Sequence, residues 1–536
     1  MAQSNPTFDY VIVGAGSAGC VLANRLTANG RHTVLLLEAG GSDRWSLAAP
    51  WIHLPIGYGR TFTNPAVNWM YHTAPQQGLG GRELHWPRGK VLGGSSSINA
   101  MVHIRGCPQD YDGWAADGAT GWGWSDVKPF FERAEADTGG PLALSSRWED
   151  MHPLSRRFVR AAGEAGLPER SDFNTDDPEG AGHYRTTQTR SMRMSAARAY
   201  LHPARKRPNL TVVTRAQTRR ILFEGTRAIG VEYVRNGKAQ IASAGREVIL
   251  ATGAVATPQL LQLSGIGPAG LMADNGIAAV LANENVGAHL QDHLCIDAIF
   301  ATTVPTLNDQ LRPLHRQALH ALNYALRQRG PLSLGINQAG GFRRSRPDAT
   351  HVDQQLYFAP ISYDIARHAA SPKLKPDPHS AMLIGVQPCR PTSRGTIRIV
   401  SSDPDVRPII DPNYLSTEQD VAEMVEAARV IRLLAATPLM QAVTKAELRP
   451  GPDVQSDADL EAYVRRWCGT VYHPVGTARM GSDPSSSAVD PSLRVHGIAG
   501  LRVVDASVFP AIPSGNTNAP TIMVAEKAAQ LILDAG

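Results

Sequence analysis

No run of 18 apolar residues occurs anywhere in the sequence, which excludes a membrane-spanning helix of ordinary length. The opening Met1-Ala2-Gln3-Ser4-Asn5-Pro6-Thr7 has no basic segment leading into an apolar one, so no export signal is expected and the protein is read as cytoplasmic. Cysteine is scarce. Cys20, Cys107, Cys295, Cys389 and Cys468 form no CxxC pair and are odd in number, which suits free thiols in a reducing compartment, and no metal site is expected. Blocks of one charge are missing too: 53 Lys and Arg are scattered among 48 Asp and Glu, so the net charge of +5 leaves no nucleic-acid footprint. With 43% apolar and 19% charged residues the chain is not disordered, and its 536 residues exceed what a single core normally holds, so two or more domains are expected.

Glycine, by contrast, is placed with purpose. GAGSAG (Gly14, Ala15, Gly16, Ser17, Ala18, Gly19) lies between the strand-like Tyr10-Val11-Ile12-Val13 and the helix-like segment from Cys20 to Leu26. A second strand, Thr33 to Leu37, ends at Glu38, followed by Ala39. Strand, glycine loop, helix, strand and acid form a dinucleotide-binding fingerprint. Gly14 allows the turn, Gly16 lets backbone approach a pyrophosphate, Gly19 lets helix pack on strand, and Glu38 is placed for a ribose hydroxyl. The motif leaves NAD and FAD both open.

From Gly40 to Pro87 the sequence reads as a long ordered loop in which Trp69 either faces a planar cofactor or anchors the loop. RGKVLGGSSSINA, Arg88 to Ala100, is a second phosphate-cradling loop, with Gly93, Gly94, Ser95, Asn99 and Ala100 at its centre. The segment from Ser195 to Leu201 looks peripheral. Strand patterns at 210–213, 220–223, 230–234 and 247–250 could extend the nucleotide-binding sheet, and the last runs into Gly253, which is expected to approach the cofactor.

Between about 300 and 460 no phosphate loop recurs, and this region is assigned to the substrate. A helix over 311–329 carries Leu319, Leu322 and Leu326 on one side and Arg312, Arg316, Arg327 and Arg329 elsewhere. It reads as a packed helix with a solvated face, while peripheral membrane contact stays open. A helix over 418–436 is introduced by Ser416 and Gln419 at capping-box spacing. Residues 371–379, rich in proline and charge, read as a surface loop.

The last 70 residues concentrate chemistry: Tyr472-His473-Pro474, Val504-Asp505-Ala506, and Ser514-Gly515-Asn516-Thr517-Asn518 before a long C-terminal helix. Asn518 and Pro520 suit a helix N-terminus, whose dipole favours the negative charge of a reduced flavin over neutral reduced nicotinamide.

GAGSAG, RGKVLGGSSSIN, GAVATPQLLQLSGIG, YHPVGT and VVDASVFPAIPSGNTNAPT occur here in the order that resembles the glucose-methanol-choline (GMC) oxidoreductases, within them the bacterial alcohol and choline dehydrogenase branch. The resemblance implies an α/β and α+β fold in which a Rossmann-like FAD-binding domain is joined to a substrate-binding domain of sheet plus helices. FAD-binding parts would span 1–155, 206–300 and 461–536, and substrate-binding parts 156–205 and 301–460. It also implies FAD and oxidation of an alcohol by hydride transfer to flavin N5, with oxygen or a quinone-like acceptor closing the cycle. His473 and Asn516 would form the catalytic pair. His473 suits removal of the hydroxyl proton, and Asn516, which cannot ionise, suits holding the alcohol oxygen. Asp505 is expected at the cofactor chain rather than in catalysis, with Tyr472, Ala506 and Thr517 beside it. Ile98 stands where some members tether FAD through histidine, so the cofactor is expected to be non-covalent. Asn516 in place of a second histidine argues against a sugar oxidase. Thr218 offers a hydroxyl where relatives often place an apolar adenine contact. The alternative is non-redox or light-driven chemistry on the same scaffold, as in hydroxynitrile lyases or a fatty-acid photodecarboxylase.

Overall fold

Two sheets divide the work, as seen in a computed structural model that describes residues 6–363 and 375–535. The first has seven strands. Its centre is Thr7–Val13, paired in parallel with Val34–Glu38 on one side and with the long Lys238–Leu250 strand on the other. Leu210–Thr214 extends it beyond Val34–Glu38, and Leu501–Val503 pairs in parallel with the end of Lys238–Leu250. An antiparallel hairpin, Ala216–Glu224 and Arg227–Arg235, completes it. Val11, Ile12 and every residue of Val34–Glu38 are buried, as expected of parallel strands covered on both faces. The strand patterns at 210–250 thus belong to this sheet.

The second sheet has eight strands and is largely antiparallel. Leu294–Thr302, Ala381–Pro388, Gln354–Ala359, Ala339–Arg343 and Gly180–His183 run side by side, with Thr444–Arg449 outside the first of them. The Glu418–Ala435 helix packs on it through Met424, Val425, Ala428 and Ile431, the stripe at helical spacing. Its cap is Thr417, whose hydroxyl accepts from the Asp420 amide, one residue later than the Ser416–Gln419 box expected from spacing. Ser416 instead bonds Ser393.

Three other expectations change. The stretch from Gly40 to Pro87 is broken by short helices at Ala49–His53 and Tyr58–Thr61 and by the paired strands Tyr71–His72 and His85–Trp86. Residues 196–201 are not peripheral: Ala196, Ala197, Tyr200 and Leu201 are core, and the Tyr200 carbonyl accepts from Asn24 of the first helix. The leucine-bearing helix, Leu314–Arg327, buries none of its residues, so its apolar stripe faces outward rather than packing. The surface loop read at 371–379 lies, over 371–374, outside the described residues. All five cysteines are free.

The C-terminal helix, Asn518–Asp534, lies against the first helix, Ser17–Leu26. Arg25 clamps Glu526 through two bonds of 2.7 and 2.8 Å, and Ser17 Oγ donates to Asn518 Oδ1 at 2.8 Å. Two helix N-termini are thereby held side by side at one end of the first sheet.

Candidate active site

The loops after three neighbouring parallel strands converge where strand order reverses, the usual ligand position in such sheets. They are the loop after Val13, residues 251–253 after Lys238–Leu250, and residues 504–507 after Leu501–Val503. Asp505 ties two of them together. Its carboxylate accepts from the Gly253 amide at 2.8 Å, Thr257 Oγ1 at 2.6 Å and the Ser507 amide at 2.8 Å. Glu38 does the same for the first loop, accepting from the amides of Ala15 at 2.9 Å and Gly40 at 2.7 Å. Burial pushes its carboxyl up to about 7 against the pull of those amides. Both Glu38 oxygens and Asp505 Oδ1 accept from one donor each and keep a lone pair for another, whereas Asp505 Oδ2 already accepts from two.

Above these loops opens a cavity of about 940 Å³. Every residue expected at the cofactor or the reaction centre lines it except Gly19 and Gly93. Those two act from behind the wall. A Cβ on Gly19 would lie 1.9 Å from the Gly14 carbonyl oxygen, and one on Gly93 2.3 Å from Ser97 Oγ. At Gly94, with φ +53°, a Cβ would sit 2.7 Å from the Gly16 Cα, so the two glycine loops touch backbone to backbone. Trp69 lines the cavity, and its ring also stacks near Tyr71 and carries Lys90 Nζ 4.4 Å above it.

The residues present fit a flavin dinucleotide. Thr218 Oγ1 is buried in the wall with no hydrogen-bond partner among the described residues. Neither helix N-terminus at the cavity carries a side-chain cap, leaving the first amides of Ser17–Leu26 and Asn518–Asp534 for an anionic ligand. Ile98, in the second loop, offers no nucleophilic nitrogen to a flavin.

At the other end of the cavity, His473 Nε2 lies 3.0 Å from Asn516 Nδ2. Asp292 fixes the backbone of this segment by accepting from the His473 amide at 2.6 Å, and Tyr472 is held in a left-handed conformation with φ +68°. A chain of bonds settles which atom carries which proton. The carbonyl of Cys389 can only accept, so His293 Nε2, 2.8 Å away, carries hydrogen. Burial lowers the pKa of His293 to about 4, so the ring is neutral and its Nδ1 is an acceptor. His473 Nδ1, 3.0 Å from it, must then be the donor, which leaves a lone pair on His473 Nε2. Burial, then the neighbouring His293 and Arg88, also push the His473 pKa well below 6.5, so at neutral pH that lone pair is unprotonated and accepts from Asn516 Nδ2. Asn516 is oriented from the other side. Tyr357 donates to Gln355 Oε1 at 2.8 Å, and Gln355 Nε2 to Asn516 Oδ1 at 3.3 Å, which turns the Asn516 amide toward His473.

His293, Gln355 and Asp292 were not singled out from sequence, and Tyr357 could not be placed there. Asp292 and His293 adjoin each other before a strand, the one local signal of a polar pair. Gln355 reaches the site only through the register of the second sheet, which sets it opposite Gln387 and Phe342. Arg390 braces the Asn516 loop, donating to Ser514 Oγ at 2.9 Å and pairing with Asp110 at 3.0 Å. Tyr324 lies instead on the exposed helix, and Phe342 and Phe358 are core.

Comparison with known proteins identifies the family. The family models described as GMC oxidoreductase match residues 8–295 and 391–525. The chain is 42% identical to an alcohol dehydrogenase [acceptor] of Pseudomonas putida, over 98% of this chain and 96% of that one. It is 43% identical to the mitochondrial choline dehydrogenase of Homo sapiens, covering 99% and 90%. Among solved structures, an Aspergillus oryzae formate oxidase superposes with a TM-score of 0.92 at 28% identity, over 100% of this chain and 99% of that one.

Proposed function

The chain belongs to the GMC oxidoreductase family, and from that premise we propose that His473 Nε2 takes the hydroxyl proton of a neutral alcohol whose oxygen Asn516 holds. Oxidation of CH–OH donors with FAD is the chain's chemistry, and neither the lyase and photodecarboxylase alternative nor a nicotinamide cofactor is retained. Bound FAD supplies the hydride acceptor, at N5 of its ring.

The protein's own part is positioning and proton removal. The observation that carries the proposal is the pairing of a fixed Nε2 lone pair with an amide donor at 3.0 Å in one cavity. A bound alcohol oxygen would replace this direct bond, accepting from Asn516 Nδ2 while giving its proton to His473, and loss of that proton makes the carbinol hydride easier to remove. Gly14, Gly16, Gly94, Ser95 and Thr218 are assigned to the nucleotide, and Asn99, Ala100, Tyr472 and Thr517 to the flavin end. Glu38 and Asp505 hold the loops that receive the cofactor.

Substrate charge follows from the cavity's carboxylates. Glu38 and Asp505 are engaged with loop amides, Asp297 pairs with Arg449, Asp405 pairs with Arg219 at 2.8 Å, and Glu83 is solvent-exposed. Cys295, on the same wall, has its thiol pushed well up by burial and is uncharged. Apart from the solvent-exposed Glu83, every carboxylate among the described lining residues is engaged by an amide or an arginine, and Tyr58, Phe62, Tyr357 and Leu383 supply apolar wall. A neutral aliphatic or aromatic alcohol fits this lining.

The test is an anaerobic panel of aliphatic, aromatic and amino alcohols with the yellow holoenzyme, read as flavin bleaching. Bleaching by neutral alcohols and little by choline is expected; equal or faster bleaching by choline would overturn the substrate assignment. Peroxide formation against dye reduction in air then identifies the electron acceptor.

A further inference from the structure

Five of the thirteen large apolar side chains exposed among the described residues lie on one helix or at its end. Leu314, Leu319, Leu322 and Leu326, between 57% and 81% exposed, lie on Leu314–Arg327 within an arc of about 140° at 3.6 residues per turn. Trp148, 50% exposed, stands at the C-terminal end of this helix. Its neighbour Arg147 bonds Ser191, which also takes the Tyr324 hydroxyl through its carbonyl, and Arg329 pairs with Asp150 at 3.9 Å. Trp45 and Leu47, 84% and 99% exposed, follow Arg44, whose charge acts on Arg198, as does the Tyr324 hydroxyl. Tyr324 is on the helix face turned toward the protein, so the leucine stripe looks away from it.

Charge on this face is mostly of one sign. From residue 310 to 347 there is no Asp or Glu, while Arg312, Arg316, Arg327 and Arg329 are exposed on or beside the helix. The acids nearby are occupied: Asp43 is buried with His202, Asp150 is paired with Arg147 and Arg329, and Asp309 is held by Thr306 and Ser380. Glu149 is the exception. An amphipathic helix with leucine on one face, arginine at its edges and tryptophan at the rim is the composition of a segment that lies in a bilayer interface. A contiguous apolar patch of this kind on a water-soluble surface marks an interaction site.

We propose that this face docks on an anionic phospholipid bilayer, the leucines entering the acyl boundary and the arginines meeting headgroup phosphates. The arginine flanks choose the occupant: a second copy would set like charges against each other, whereas acidic headgroups complement them. The face also borders the active cavity. Leu311, just before the helix, packs in the cluster with Tyr58, Ile336 and Tyr363, and Tyr58 and Tyr363 line the cavity. A docked enzyme would therefore hold its cavity wall near the membrane surface.

The test is co-sedimentation of the FAD-loaded enzyme with vesicles of phosphatidylcholine alone and of phosphatidylcholine with phosphatidylglycerol, at low and high salt. Binding to the anionic vesicles is expected, weakened by salt and at least 10-fold weaker in Leu322→Glu/Leu326→Glu. Turnover of a soluble alcohol with a soluble dye should be unchanged, since these side chains are outside the cavity. A second variant, Arg312→Gln/Arg316→Gln, should lose the preference for phosphatidylglycerol. Retained flavin absorption and melting temperature show that both variants fold. Failure of the unaltered enzyme to bind anionic vesicles, or equal binding by the glutamate variant, would overturn the proposal. So would a dimer that forms without lipid and is split by that variant, which would give the face to a second copy.

Discussion

At the scale of single residues, the site depends on which nitrogen of His473 holds its proton, and that is decided by His293. Without an acceptor opposite Nδ1, only the Asn516 amide still holds the ring in the tautomer that can act as base. His293→Phe, which keeps a buried ring but removes the acceptor, is expected to slow flavin reduction by between about 10-fold and the ~10⁴-fold that a wrong tautomer costs in a serine protease triad. His293→Gln, whose Oε1 can still accept, should recover part of that loss. The pH profile separates this from simple damage. Because the His473 pKa is depressed, kcat/KM of the wild type should be flat from pH 8 to 6.5 and fall only below that, as the base becomes protonated. His293 is one cause of the depression, so His293→Phe should move the acid limb upward toward 6.5. An unmoved limb would mean that His293 is only packing. His473 and Asn516 could be read from their motifs, but His293 could not. A histidine before a strand has no local mark of function, and its partners Cys389 and His473 are 96 and 180 residues away.

At the scale of elements, what repeats locally was legible and what depends on long-range fit was not. The first strand, glycine loop and helix were evident because a buried parallel strand is a continuous apolar run and the glycines have fixed offsets. The Leu314–Arg327 helix was legible as a helix, but its periodicity could not say whether its stripe faces a core or the outside. The contact between the two glycine loops belongs to this scale, and it gives a sharp expectation. Gly94→Ala would press a methyl against Gly16 and hold φ at +53°, an unfavourable region for alanine. The purified variant should be folded but depleted in FAD, read as the ratio of flavin to protein absorption. Full occupancy would show that the loops can part without losing the cofactor.

At the scale of the whole molecule, the reaction centre is a joint product of both sheets. The first brings three strand ends and two helix N-termini to one end of the cavity. The second carries Gln355 and Tyr357 to Asn516, and the His473 segment is pinned by Asp292 and His293 at the entry to Leu294–Thr302. GAGSAG at one end of the chain and His473 and Asn516 at the other thus line one cavity. This division explains why the glycine loops at one end of the cavity were readable in order along the chain, whereas residues brought in by strand register, such as Gln355, were not. The central claim is that His473 removes the hydroxyl proton as hydride leaves the carbinol carbon. It is tested most directly by rapid anaerobic mixing of a neutral alcohol with FAD-loaded wild type and His473→Ala, following flavin bleaching in a single turnover. The account requires bleaching in the wild type and a rate lower by about 10²- to 10⁴-fold in the variant at equal FAD content; equal rates would contradict it.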